Sequence, residues 1–467
     1  MAKWILPVVI MAILGRAPTT ELTKECKITE NKMGNGDQLM CSNVTTYFFR
    51  KYTVSLDKTY LISCGNCTLP TIDENTFPFE NNHVNILYLV KSQIRMLKKS
   101  AFSRFSSLRV LVLRHNNIDN VDSKSFSSIK RLIQLDLSHN NIKIVINDLF
   151  SELEVLDILD LNRNNIFYLQ PQAFNGLINL KYLYLNDNSL SKLEDKTFRY
   201  LINLKILHIQ NNNILEIHPL AFVNLKNLNF LYLNNNSINY LVQYNFQPLS
   251  SLVDLQLRFN KIQEIQTSSF NGLKSLRNLL LRDNELKSIK RYGFVGLNSL
   301  EILDLANNSF QNFSLDVVTD DMNKLSILWL GKNFINNLTI DYKSDLHKSL
   351  HYLDLSDNNL SIVNYKLLHN KFPSMKEIYF SNNSLGCDIM VNMYNFFKKE
   401  NITVCYTEDC KRNSTTHFMT RICKEESLRE NNNDITTEYT IKGSTISLRS
   451  NWTIFMILFS FNFLECT

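Results

Sequence analysis

The side chains best suited to covalent chemistry are nine cysteines, and they are not evenly spread. Cys26, Cys41, Cys64 and Cys67 form one set near the start, Cys387, Cys405, Cys410 and Cys423 a second set near the end, and Cys466 stands alone. Two sets of four, in a chain that opens like an exported protein, point to disulfides closing the two ends of a cysteine-free middle. Each set allows three pairings, and spacing does not choose among them. Cys64-Gly65-Asn66-Cys67 also has the spacing of a redox or zinc pair. Zinc would need a second pair at ligand spacing, and a thioredoxin-like site a strand-helix-strand setting, so the disulfide reading is the stronger one.

The second chemistry is carbohydrate. Asn-x-Ser/Thr sequons occur at Asn43, Asn66, Asn235, Asn307, Asn312, Asn337, Asn359, Asn382, Asn401 and Asn413, with another at Asn451. The stretch between Asn66 and Asn235 has none, so the early and middle parts of the chain should keep the more open surface.

Catalytic chemistry has no comparable signature. The nine histidines are scattered, and no zinc-protease helix motif, serine nucleophile elbow or glycine-rich phosphate loop is present. The sequence predicts a non-enzyme with no metal and no cofactor. Fifty basic residues against 44 acidic ones leave a net charge of +6, but no dense Lys/Arg run tracks a phosphate backbone, so nucleic acid is not an expected partner.

The elements that must position these residues come from a repeat. After Met1-Ala2-Lys3 and the short apolar stretch Trp4 to Gly15, residues 1–20 read as a secretory signal peptide. From Val84 the pattern L-x-x-L-x-L-x-x-N-x-L recurs, its first positions at Val84, Leu108, Leu132, Leu156, Leu180, Leu204, Leu228, Leu252, Leu276 and Leu300, 24 residues apart. Leu325, Leu350 and Met375 follow at steps of 25, making thirteen units over 84–385. In the unit from Leu180 to Asn203, Leu180, Leu183 and Leu185 should point inward from a short strand, and Asn188 should turn the chain. Leu190, Leu193, Phe198 and Leu201 should return to the same core. One unit has no second wall, so neighbours must stack to close the core. Gly is scarce for so many turns, at 11 residues, and Asn doublets such as Asn116-Asn117 and Asn164-Asn165 are the candidate turn makers.

These motifs resemble the leucine-rich-repeat family, and the resemblance covers roughly Val84 to Leu385. It implies an α/β solenoid, a horseshoe with a parallel β-sheet on its concave face and disulfide-stabilised caps. The ninth-position Asn would form a buried ladder, here Asn116, Asn140, Asn164, Asn188, Asn212, Asn236, Asn260, Asn284, Asn308, Asn333, Asn358 and Asn383, with Ser92 taking that place in the first unit. It also implies an N-terminal cap over 21–83 and a C-terminal cap over 386–423, with an amphipathic helix from Met390 to Lys399. The cysteine spacing departs from the family's compact N-terminal cluster, and Ile389 stands where a second cysteine of the C-terminal cap is usual.

Leucines and asparagines are scaffold, so binding should lie on the residues between them. The third and fifth positions of each strand alternate outward. In the fifth to seventh units they gather Tyr182, Tyr184, Ile206, His208, Phe230 and Tyr232 on one exposed face. Such rings suit an interface hot spot, although Tyr and Phe also simply favour strands. Trp329, Tyr352 and Tyr379 form a second, looser group.

Residues 424–451 turn polar without a heptad and read as a stalk. The tail, 452–467, is apolar from Trp452 to Leu464, too short for an ordinary span. With Gly443-Ser444-Thr445 upstream it has the layout of a glycosylphosphatidylinositol-anchor signal. A short single span and a secreted protein with a hydrophobic end are the alternatives. Too little chain follows the tail for a cytoplasmic signalling domain, so any signal should pass through a partner. The resemblance extends to lipid-anchored insect adhesion proteins of the family, implying a cell-surface molecule that grips a protein ligand or a copy of itself. The alternative is a secreted innate-immune recognition or scaffold protein, a group that often carries a coiled coil which this chain lacks.

Overall fold

The computed structural model describes residues 19–21, 25–29, 36–51, 58–79, 82–341 and 346–405. Residues 1–18, the stalk, the tail, Cys410, Cys423 and Asn413 lie outside them. The chain divides into two compact units, Met1–Lys411 and Arg412–Thr467, and every described residue belongs to the first.

Each expected unit contributes one short strand. Adjacent strands pair in parallel, 24 or 25 residues apart, as Tyr182 with Ile206 and Ile327 with Tyr352. Among the described residues they join a sheet of eighteen strands. Alternation across the pleat puts the fourth and sixth residues inward: Leu183, Leu185, Leu207 and Leu231 are fully buried, whereas Tyr182 and Tyr184 are half-buried on the other side. A second row of two- and three-residue strands, such as Lys192–Leu193 beside Glu216–Ile217, closes the opposite wall. Most of the return path is turn. Among the described residues of the array, helix is confined to the 3-10 turns Leu315–Val317 and Asp320–Met322 and to Tyr365–Lys371, in units with an extra residue.

Two columns fill and satisfy the core. Phe198 is fully buried, its ring stacked between Phe174 at 5.9 Å and Phe222 at 6.2 Å, and the stack runs on through Phe246 and Phe270 to Phe294. The Asn ladder is present as the family resemblance implied. Asn188 Nδ2 donates to Leu161 O at 3.0 Å and Leu185 O at 3.1 Å, and its Oδ1 accepts from Ile166 N at 2.9 Å. Each rung therefore satisfies its own turn and the preceding unit in a place water cannot reach. Ser92 substitutes as expected, its Oγ donating to Cys64 O at 3.0 Å.

The turn that presents each rung has a fixed cost. The eighth residue of all thirteen units is left-handed, with φ between 51 and 58°, although none of the thirteen is Gly. That strain of about 1 kcal/mol per non-Gly residue is offset by the bonds the following Asn makes.

The parallel register also continues N-terminally of Val84. Thr59–Gly65 pairs with Ile86–Val90, placing Ile62 opposite Leu87 and Cys64 opposite Leu89. Cys64 thus stands at a sixth-position leucine and Cys67 level with Ser92, and a disulfide joins them. Cys41 in turn faces Cys64 and is bonded to Cys26 across an antiparallel pair. The unusual cysteine spacing follows from this: Cys41, Cys64 and Cys67 occupy repeat positions, and Cys26 meets Cys41 from an antiparallel strand. At the other end the expected helix spans Cys387–Lys399, with Met393 and Phe397 buried, and Thr403–Cys405 adds a parallel strand beside Glu377–Tyr379. Cys387 and Cys405 are each disulfide-bonded. Among the described residues no helix is long and apolar enough to cross a membrane.

Candidate binding surface

Six of the predicted binding residues form one grid. Tyr182, Ile206 and Phe230 are register partners along one row, and Tyr184, His208 and Tyr232 along the next. In the second row the rings stack: His208 lies 4.9 Å from Tyr184 and 4.4 Å from Tyr232, within 12° and 7° of parallel. The cause is the strand spacing of about 4.8 Å, which sets flat side chains at matching positions close to ring-stacking distance. All six are half-buried, which corrects the expectation of freely exposed rings, because each covers the flank of the next.

Trp329 stands apart. It sits four strands from Tyr232 in the same row, past Gln256, Leu280 and Asp304. Asp354 separates it from Tyr379, so the looser group is not one cluster.

Burial sets the charge state of the grid. It pushes the His208 imidazole down to about 4 against the weaker effect of the Gln210 amide 3.3 Å away. It pushes the Tyr232 phenol up to about 12, helped by the Asp254 charge, and raises Tyr184, helped by Asp160. The three stacked rings are therefore neutral at physiological pH. They offer flat dispersion contact and polar edges, and no group poised to exchange a proton.

Carboxylates border the rings. Asp136 and Asp160 are register partners beside Tyr184, and each Oδ1 is taken by its own turn, through Ser138 and Asn162. Burial, then the charge of Asp136, drives Asp160 up to about 6 against those bonds. On the far flank Asp254 is 9% exposed, with Oδ2 accepting from Asn278 and Oδ1 buried without a hydrogen-bond partner. Further on, Arg258 reaches across two strands to Asp304, 3.1 Å away, and Asp304 is 1% exposed. Among the described residues no group of three or more His, Cys, Asp or Glu could hold a metal ion.

The nine described sequon asparagines are all exposed. Asn43, Asn66, Asn235, Asn307 and Asn382 occupy the left-handed turn position, one rim of the sheet. That shared line was missed in the sequence, although reading the eighth position down the repeat would have revealed it for Asn235, Asn307 and Asn382.

The leucine rich repeat family model matches residues 82–142, 106–166, 154–204, 202–262 and 250–310. A leucine-rich-repeat protein of Leptospira interrogans is 20% identical over 73% of this chain and 88% of its own, with a TM-score of 0.52. A chain of the LRIM1/APL1C complex is 17% identical over 84% of this chain and 73% of its own, also at 0.52. At such identities these two likenesses bear on the fold. No curated protein matches the sequence.

Proposed function

From the premise that this chain is a leucine-rich-repeat protein, we propose that it binds a protein partner on its sheet face, outside the cell, without catalysis. The observation that carries this reading is the stack of Tyr184, His208 and Tyr232, held at 4.9 and 4.4 Å and neutral, beside the parallel row of Tyr182, Ile206 and Phe230. Rigid aromatic surface loses little entropy on docking, and such rings dominate interface energetics. The bordering carboxylates favour a partner that brings cationic groups to the edge of its apolar contact.

Three observations support the extracellular part. Disulfides close Cys26–Cys41 and Cys64–Cys67, Cys387 and Cys405 are also bonded, and every described sequon is exposed. We assign the apolar segment from Trp452 to Leu464 to a lipid-anchor signal and the role to cell-surface adhesion or recognition. Release from expressing cells by phosphatidylinositol-specific phospholipase C is the expected result. Retention that persists after alkaline carbonate extraction would point to a membrane span instead.

The binding reading is tested with beads coated with the chain, mixed with cells or with one another. Tyr184→Ala with Tyr232→Ala should weaken attachment by about tenfold or more while leaving the melting temperature within a few degrees. Attachment that survives the double change removes the ring stack from the account.

A further inference from the structure

The rim beside the sheet carries a second surface. The left-handed eighth residues form one column, because each backbone N–H donates to the seventh-position carbonyl of the next unit: Asn66 to Val90, Lys91 to Arg114, His115 to Ser138, His139 to Asn162 and Arg163 to Asn186. Sequons at Asn43 and Asn66 occupy one end of this column and Asn235 a later position. Between them the column is cationic. Lys91, His115, His139 and Arg163 follow on four consecutive strands, with Arg114 beside them at a seventh position. No Asp or Glu occupies the seventh or eighth position until Asp187, which pairs with Arg163 at 3.6 Å.

Lys91, Arg114, His115 and Arg163 are exposed and His139 is half-buried. The His115 and His139 rings are in contact, with centroids 4.0 Å apart. A proton on His139 would place a positive charge against the His115 ring, a state that an anion above them would relieve.

We propose that this stretch of rim, Lys91 to Arg163, docks a short acidic segment of a protein partner. Its length selects the ligand. Four strands span about 14 Å at about 4.8 Å each, so the row meets only a few negative charges before Asp187 ends it. A long polyanion lying along the rim would run onto Asp187 at one end and the Asn66 sequon at the other. That the partner is a protein rests on the function proposed above; the cationic surface itself does not.

Acid should strengthen the contact. His139 is faced by His115, Arg114, Arg163 and Asp136, and burial together with the three cationic neighbours lowers its affinity for a proton. Nearby Asp160 loses its charge at about 6. Histidine protonation adds positive charge and Asp160 protonation removes negative charge, so both changes favour an anion as pH falls.

The test uses the full chain, a fluorescent tetraglutamate peptide and a heparin octasaccharide, at low salt. The peptide should bind, and bind several-fold more tightly at about pH 5.5 than at about pH 7.5. Arg114→Glu with Arg163→Glu should weaken it by about tenfold or more, and Lys287→Glu, an exposed change elsewhere, should not. Both variants are surface changes whose folding a melting curve checks. Equal peptide binding by the double variant, equal loss with Lys287→Glu, or heparin bound more tightly than the peptide overturns the proposal. Bead attachment reports on the ring stack and peptide binding on the rim, so either reading can fail alone.

Discussion

At the residue scale the molecule turns on polar groups held where water is scarce. Asn188 is the plainest case, because its amide satisfies Leu161 O, Leu185 O and Ile166 N at once. Asn188→Leu keeps the branched shape but orphans those groups, so it should cost about 1 to 3 kcal/mol in chemical unfolding. A change under about 0.5 kcal/mol would mean water replaces the rung. His208 and Asp160 make a linked pair of opposite sign. His208 falls from 6.5 to about 4 in the folded protein, so its contribution is full above about pH 6.5 and is lost as pH falls toward 4. Asp160 rises from 3.8 to about 6, so its contribution is full below about pH 4 and is lost as pH rises through 6. Between those limits the two nearly cancel. Relative to the unaltered protein, His208→Phe should therefore gain stability as pH falls from about 7 to about 4, and Asp160→Asn should gain as pH rises over the same range, each by roughly 2 kcal/mol. Melting curves across that range read both. Parallel curves for either variant would mean that its side chain is fully hydrated.

At the element scale the strand is specified by leucines, whereas the turns are specified by their allowed φ. Gly176 and Gly296 hold the same place in their units, with φ of 86 and 84°. A Cβ on Gly176 would come within 2.2 Å of Ser151 O, whereas on Gly296 the nearest atom is Asn271 Oδ1 at 3.7 Å. Gly296→Ala should cost only the conformational strain, about 1 kcal/mol, and Gly176→Ala at least about 2 kcal/mol more because backbone must move. Equal unfolding midpoints would show that the Ser151 turn yields freely. The sequence made strand positions legible because a leucine spacing that repeats thirteen times admits one register. It did not reveal that Thr59–Gly65 joins the same sheet, since cysteines replace the leucine and the asparagine that mark a unit. Nor did it reveal the burial of the rings. The rows were readable from the 24-residue period, but the exposure of Tyr184 depends on how far His208 leans over it, which no spacing encodes.

At the scale of the whole molecule, a solenoid unit touches mainly its neighbours, so a unit can be removed in register if the faces that meet still match. Deleting 180–203 joins Asn179 to Leu204. It sets Phe174 beside Phe222 and Asn164 beside Asn212, pairs with the same chemistry as the ones lost. Scaffold terms are thus conserved, and the deletion should unfold cooperatively with a melting point only a few degrees lower. The sheet face changes sharply. Tyr182 and Tyr184 are gone, and Asp160 becomes the register partner of His208, trading a ring for a carboxylate. Bead attachment should fall by about tenfold or more, while the rim from Lys91 to Arg163 keeps its sequence. Deleting 276–299 is the matched control: it removes one unit of the same length, leaves the ring stack whole and should preserve attachment. Equal loss in both deletions would place binding in the length of the array, and no loss in either would place it outside the sheet face. Loss with 180–203 alone is the outcome that a local docking site requires.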